Sequence, residues 1–301
     1  MNFFVKNICF FAITLLGTTV LSAQQSSEHE GLLLVAFGTS HQKARTSYHN
    51  TEKTLCSHFP IEYTSWAYTS GMIRHKLAKE GHPIPSIQEG MKKLASTGVK
   101  TLRVQSLHIA AGEEFSQMER IIQRYLAHNP ESFDKVFIGR PLLESSRDMR
   151  EVIHGVLSDF PSERKPDEAI LLMGHGQSEG RSDLVFTAVQ GELKKQDSKA
   201  FLATVEGTYS FKEALAELKT LQAKGLTTVW LAPFMIVAGD HANNDLAGDD
   251  KDSWASQLKK AGFTVKIHLK GLGDIKKVQD IFLRHAIETK DDIIASSKEK
   301  E

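Results

Sequence analysis

The apolar positions of this chain fall into short unbroken runs that alternate with longer stretches patterned every three or four residues. Leu32-Leu33-Leu34-Val35-Ala36, Trp66-Ala67-Tyr68, Leu102 to Ile109, Val136-Phe137-Ile138, Ile170-Leu171-Leu172-Met173, Phe201 to Val205, Val229 to Val237 and Val265-Lys266-Ile267 read as strands. Most are apolar throughout rather than alternating, which predicts strands buried on both faces, as in parallel sheets covered by helices. Between them the spacing predicts helices over Gln42–His58, Gly71–Glu80, Ser86–Thr97, Phe115–His128, Glu144–Phe160, Asp183–Gln196, Phe211–Lys224, Ser253–Ala261 and Asp274–Thr289. Leu55, Leu94, Ile121, Ile122 and Tyr125 carry the apolar face in the first half, and Val185, Val189, Leu193, Leu215, Leu218 and Leu221 do so in the second. Gly98 and Gly225 stop the helices that precede two of the strands.

The two halves repeat each other. Leu32 to Ser40 matches Ile170 to Ser178, and Val99 to Glu114 matches Leu226 to His241, with a shared Ala-Gly-acid step at Ala111-Gly112-Glu113 and Ala238-Gly239-Asp240. Val136 to Gly139 matches Val265 to His268, and each is followed by a helix. The expected fold class is α/β, with two pseudo-symmetric lobes, each a mostly parallel sheet flanked by helices. Residues 24–160 form the expected N-terminal lobe, 167–290 the C-terminal lobe carrying the metal site, and 291–301 a charged tail that frays from Ser296. Pro161-Ser162-Glu163-Arg164-Lys165-Pro166 reads as the linker, because its prolines and polar residues continue neither element.

Composition changes the picture in three ways. Lys6 followed by the apolar run Ile8–Leu21 and then Ser22-Ala23 predicts a cleavable secretory signal over 1–23 and an exported, periplasmic protein without a stable membrane span after processing. Cleavage removes Cys9 and leaves Cys56 alone, so stability must come from packing and not from a disulfide. Basic and acidic residues balance at 37 each, so no global field favours nucleic acid, and an acidic ligand must be met by a local basic cluster.

The halves differ at their strand ends. His175 stands where the first half has Phe37, and His241 where it has Glu114, while Phe201–Val205 runs into Glu206. Carboxyl ends of strands are where open α/β sheets bind ligands. Two imidazoles and one carboxylate from three strand ends suit a borderline divalent ion such as cobalt, iron, nickel or zinc, and not magnesium or calcium, which prefer oxygen cages. Asp240, next to His241, is a candidate to orient an imidazole. His108 lies in an apolar strand and reads first as a hydrogen-bonded core or cleft histidine and second as a metal ligand.

Phe37-Gly38-Thr39-Ser40, Leu107-His108-Ile109, Met173-Gly174-His175-Gly176, Val205-Glu206-Gly207 and Gly239-Asp240-His241-Ala242-Asn243-Asn244-Asp245 resemble the anaerobic sirohydrochlorin cobaltochelatases of the class II chelatases. The resemblance covers nearly the whole chain after Glu30 and implies a two-lobed chelatase fold that inserts Co2+ into a tetrapyrrole without a nucleotide. It implies that His175, Glu206 and His241 bind the metal and accept protons. The macrocycle is expected in the cleft between lobes, met by Phe37, Ser40, Lys43, Arg45 and Tyr68, with Trp66 and Met235 as further apolar candidates. An export signal departs from a cytoplasmic biosynthetic enzyme. Fe2+ or Ni2+ as the substrate metal, an exported metal- or haem-binding protein without catalysis, and a homo-oligomer stay open at this point.

Overall fold

The computed structural model describes residues 29–177 and 181–298, so the expected signal over 1–23 lies outside the described residues. The first half contains β1 (His29–Ala36), α1 (Arg45–Leu55), β2 (Thr64–Tyr68), α2 (Gly71–Lys79), α3 (Ile87–Ser96), β3 (Val99–Ser106), α4 (Glu113–His128), β4 (Lys135–Gly139) and α5 (Ser146–Ser158). The second contains β5 (Ala169–Gly174), α6 (Arg181–Gln196), β6 (Ala200–Thr204), α7 (Phe211–Gln222), β7 (Thr228–Pro233), α8 (Trp254–Lys260), β8 (Thr264–Ile267), α9 (Lys276–Glu288) and α10 (Ile293–Lys298). The expected α/β class and its two lobes are what the chain adopts. Each sheet has four parallel strands, in the order β2-β1-β3-β4 and β6-β5-β7-β8, so the sequence repeat is a repeat of topology.

The central strands are apolar, over Leu32 to Ala36 of β1 and throughout β5, because both faces are covered. Leu32, Leu34 and Ala36 point into a core that also holds Ile170, Leu172, Phe234, Phe282 and Ile281, and this core joins the lobes. Leu33 and Val35 point the other way, onto Met91, Leu94, Met118 and Ile122 of α3 and α4. Leu171 and Met173 likewise face Ala214, Leu218 and Leu258 of α7 and α8. Side chains alternate across a strand, so one five-residue run serves two cores.

The lobes are tied by helices that cross between them. α9 falls in the C-terminal half of the chain, yet it packs on α1, α5, β3 and β4 of the first half. Asp274, just before α9, accepts hydrogen bonds from Ser47 Oγ and Asn50 Nδ2 of α1, both at 2.7 Å. Arg284 of α9 pairs with Asp148 and Glu151 of α5. Burial alone would push the Asp148 carboxyl up, but hydrogen bonds from Ser145 and Arg284 and the neighbouring His285 hold it below the usual range. The segment read as a charged tail begins differently from the expectation. Asp292 Oδ1 accepts from the Val136 backbone N–H at 3.1 Å, and α10 docks Ile293 and Ile294 on the N-terminal lobe, because those two apolar residues cover the edge strand β4. Among the described residues no helix is long and apolar enough to cross a membrane.

Candidate metal and macrocycle site

The carboxyl ends of the central strands surround a cavity of about 620 Å³, lined from both lobes. The first lobe contributes Phe37, Gly38, Thr39, Ser40, Tyr48, Leu107, His108, Glu113 and Glu114; the second contributes His175, Gly176, Phe186, Glu206, Met235, Ile236, Asp240 and His241. The lobes nearly touch at the cavity wall, where a Cβ added to Gly239 would lie 3.5 Å from Thr39 Oγ1.

His175 leaves β5 on a turn that only glycine can make. Gly176 has φ +75°, and a Cβ there would come within 2.0 Å of the Glu206 carbonyl oxygen and 2.6 Å of Thr204 Cβ. That close approach lets the Glu206 N–H donate to the His175 carbonyl at 2.8 Å, which locks two of the expected site residues together through their backbones. The His175 Nδ1 lies 3.1 Å from the Gly176 carbonyl, an atom that only accepts, so Nδ1 carries the proton and Nε2 presents a lone pair.

His241 opens a π-helical turn, Ala242–Leu246, a form that recurs at functional sites. The turn brings Asp245 back under the ring, and the His241 Nδ1–H donates to Asp245 Oδ2 at 2.5 Å. Asp245 therefore does what Asp240 was expected to do, fixing the tautomer with Nε2 free for a metal. The His175 and His241 rings stand 5.1 Å apart between centroids, at 79° to each other. With metal–nitrogen bonds of about 2.1 Å, that spacing suits two imidazoles sharing one tetrahedral ion. The His241 side chain is 44% exposed, so the pair is open to an incoming ion.

Glu206 lines the same cavity, and among the described residues nothing hydrogen-bonds to its carboxylate. Among the described residues, no three His, Cys, Asp or Glu side chains gather closely enough to hold a metal as a group. The expected triad thus occupies one cavity as a preset imidazole pair with a carboxylate standing off from it.

The expected substrate contacts divide. Phe37, 47% exposed, and Ser40 line the cavity, and Ser40 Oγ accepts from Lys76 Nζ at 3.0 Å. Lys43, exposed on the turn after Ser40, and Arg45, the first residue of α1, are not part of the wall. Tyr68 is only 4% exposed and supports the Gly38 turn from beneath: a Cβ on Gly38, whose φ is +104°, would meet the Tyr68 ring at 2.5 Å. Burial pushes its hydroxyl pKa up to about 12. Trp66 donates its Nε1–H to Glu52 and packs on Tyr48, so it too is structural. Met235 does line the cavity.

Sequence reasoning missed Tyr48, Phe186 and Ile236 in the wall, and Asp245 beside it. The spacing of Asp245 four residues after His241 was the one available signal, since that spacing brings side chains together on a helical turn. His108 does line the cavity, and its Nδ1 pairs with Ser106 Oγ at 2.8 Å. Its Nε2 is closed off without a partner, and burial depresses its pKa to about 4.

The sequence signature of one family, described as cobalt chelatase (CbiK), matches residues 30–291. The chain belongs to the CbiK cobalt chelatase family. It is 30% identical over 256 residues to a protein of Nitratidesulfovibrio vulgaris (strain Hildenborough) named sirohydrochlorin cobaltochelatase CbiKC, covering 85% of this chain and 89% of that one. It is 34% identical over 258 residues to the sirohydrochlorin cobaltochelatase of Salmonella typhimurium (strain LT2), covering 85% and 94%. Among solved structures, SirB from Bacillus subtilis with Fe3+ superposes with a TM-score of 0.60 at 17% identity, over 91% of this chain and 98% of SirB. The sirohydrochlorin chelatase SirB from Bacillus subtilis subspecies spizizenii in complex with cobalt gives 0.56 at 13% identity, with the same coverage. At those identities the superpositions establish a shared chelatase fold.

Proposed function

We propose that this CbiK-family chain inserts Co2+ into sirohydrochlorin. The observation that carries the reading is the pair of imidazoles, His175 and His241, held 5.1 Å apart with both Nδ1 protons committed to fixed acceptors in a cavity large enough for a flat ligand. The names of the two curated relatives support the same metal and macrocycle.

Insertion strips water from the ion, delivers it to the ring and removes two pyrrole protons. His175 and His241 first donate Nε2 lone pairs to Co2+ and, once the ring nitrogens take the ion, those lone pairs accept the displaced protons. Asp245 stabilises the imidazolium that forms on His241. Glu206 balances charge while the ion is bound, and Phe37, Met235, Ile236 and Phe186 offer apolar contact to the ring faces. Two nitrogen donors and a carboxylate do not separate Co2+ from Fe2+ or Ni2+, so metal choice in the cell belongs to supply and ring.

Mixing purified protein, metal-free sirohydrochlorin and Co2+ and following the absorption change tests the reading. Wild type catalyses the change, and His175→Ala and His241→Ala abolish it. Insertion at wild-type rates in either variant would remove the assignment, and tight binding of the macrocycle without turnover would make the protein a carrier. Competition of Co2+, Fe2+ and Ni2+ for one macrocycle ranks the metals. Residues 1–23 are read as an export signal; the N-terminal sequence of the protein from a periplasmic fraction tests that, and a start at Met1 refutes it.

A further inference from the structure

The segment that carries Glu206 is a five-residue excursion, 205–209, between β6 and α7, and it is fastened at more points than its length requires. At its base the Thr204 N–H donates to the Tyr209 carbonyl at 2.9 Å, and the Thr204 hydroxyl donates to the same oxygen at 3.3 Å. On one flank Glu206 N–H is tied to the His175 carbonyl. At its tip Thr208 gives both its hydrogens to one side chain: the backbone N–H donates to Asp183 Oδ1 at 3.1 Å, and the hydroxyl donates to Asp183 Oδ2. Asp183 belongs to the first turn of α6, the helix that follows His175, and it is absent from the cavity wall.

The fit around this contact is close. A Cβ on Gly207 would lie 2.5 Å from Thr204 Oγ1 and 3.1 Å from Asp183 Oδ1, so the loop is pressed between β6 and the carboxylate with room only for glycine. The two hydrogen bonds from Thr208 hold the Asp183 carboxyl below the usual range, which means that it works as a carboxylate acceptor. Among the described residues nothing hydrogen-bonds to the Glu206 side chain, and its backbone N–H, tied to the His175 carbonyl, sets where the carboxylate leaves the chain.

We propose that Asp183 is a positioning residue for metal loading: by clamping Thr208 it fixes the loop that presents Glu206 to the ion held by His175 and His241. The inference rests on the assignment of Glu206 to the metal. A clamp at the tip, two residues beyond the acting carboxylate, sets the direction in which that carboxylate leaves the backbone. Groups behind a ligand commonly change metal affinity by about ten- to a hundredfold.

The test uses the full chain and Co2+ alone, titrated against a chromophoric competitor, followed by steady-state insertion kinetics. Asp183→Ala is expected to weaken Co2+ binding and raise the KM for Co2+ about tenfold, with the KM for the macrocycle unchanged. Thr208→Val, which keeps the N–H and loses the hydroxyl, gives a smaller effect in the same direction, and Thr208→Ser restores wild-type behaviour. In a Glu206→Gln background Asp183→Ala adds nothing further, because the carboxylate it positions is gone. Equal changes in both KM values, or additive effects in the double variant, would reduce Asp183 to a general structural role and overturn the proposal; Thr208→Val answers the same question should Asp183→Ala not fold. If Glu206→Gln leaves Co2+ binding intact while His175→Ala abolishes it, the Glu206 assignment falls and the inference falls with it.

Discussion

Replacing His108 with Gln removes a half-buried imidazole, its Nε2 shielded from solvent, that the fold keeps neutral. The ring sits just past β3 with Nδ1 on Ser106 Oγ and Nε2 sealed without a partner, and no carboxylate hydrogen-bonds to it. Burial lowers its pKa from 6.5 to about 4. The unfolded chain therefore takes a proton near pH 6.5, whereas the native state refuses one until pH 4. This site's full contribution to stability is present above pH 6.5 and is lost as pH falls from 6.5 through 4. At about 1.4 kcal/mol per pH unit the full shift is worth about 3.5 kcal/mol, of which about 3 kcal/mol is lost by pH 4, where the native ring is half protonated. Urea unfolding of wild type and of His108→Gln at a series of pH values between 7 and 4 measures it. Gln keeps a polar partner for Ser106 and does not titrate, so the carboxylates common to both proteins cancel in the difference. The variant should lose about 3 kcal/mol less than wild type over that window. Parallel stability profiles would refute the reasoning, since they would mean that the native ring takes up its proton as easily as the unfolded one.

Gly176→Ala adds a Cβ where the Glu206 carbonyl stands 2.0 Å away, at a φ of +75°. Insertion should fall at least about tenfold in kcat/KM, and stability by about 1–2 kcal/mol, read by kinetics and thermal melts. Asp245→Asn lets the His241 Nδ1 become an acceptor and removes the charge that stabilises the imidazolium. The kcat/KM for Co2+ should fall about tenfold or more, with the acid limb of the pH–rate profile displaced. Arg284→Met leaves Asp148, whose side chain is 6% exposed, without its principal cation. Global stability should drop by about 3 kcal/mol, seen in denaturant unfolding, while the KM for Co2+ is untouched.

The central strands were readable because they are buried on both sides: Leu32 to Ala36 and Ile170 to Met173 have no polar position to confuse the pattern. The repeat carried the two-lobed topology, since strands at matching positions in two halves take matching places in their sheets. What sequence spacing could not reach was partnership between distant elements. The Val278 face of α9 is apolar whichever sheet it covers, so its crossing to the first lobe had no local sign. Tyr68 sits at the end of β2, where the parity of the last strand residue decides between rim and core, and its ring fell beneath Gly38. The choice between Asp240 and Asp245 turned on backbone form. Had the chain stayed extended after Gly239, neither neighbour would face the ring; the π-helical turn brings the fourth residue on under it.

The charge on the cavity wall bears on how the proposed reaction is ordered. Glu113, Glu114, Glu206 and Asp240 line the wall, no lysine or arginine does so among the described residues, and of the four only Glu113 is ion-paired there, with Arg120, while Glu114 accepts from the Thr69 hydroxyl. Such a wall draws in a divalent cation and repels the carboxylates of a tetrapyrrole. The macrocycle is therefore best accommodated with its ring against Phe37, Met235, Ile236 and Phe186 and its carboxylates turned out of the cavity toward solvent and Lys76, which reaches Ser40 at the rim. On the proposed mechanism, once the ion has passed into the ring, the wall keeps its carboxylates and the imidazoles hold the two displaced protons. Until those protons leave through the open face, His175 and His241 have no lone pair for a second ion. The same exposure that lets Co2+ reach the pair thus also resets it, and this favours an open cavity over a closed metal cage.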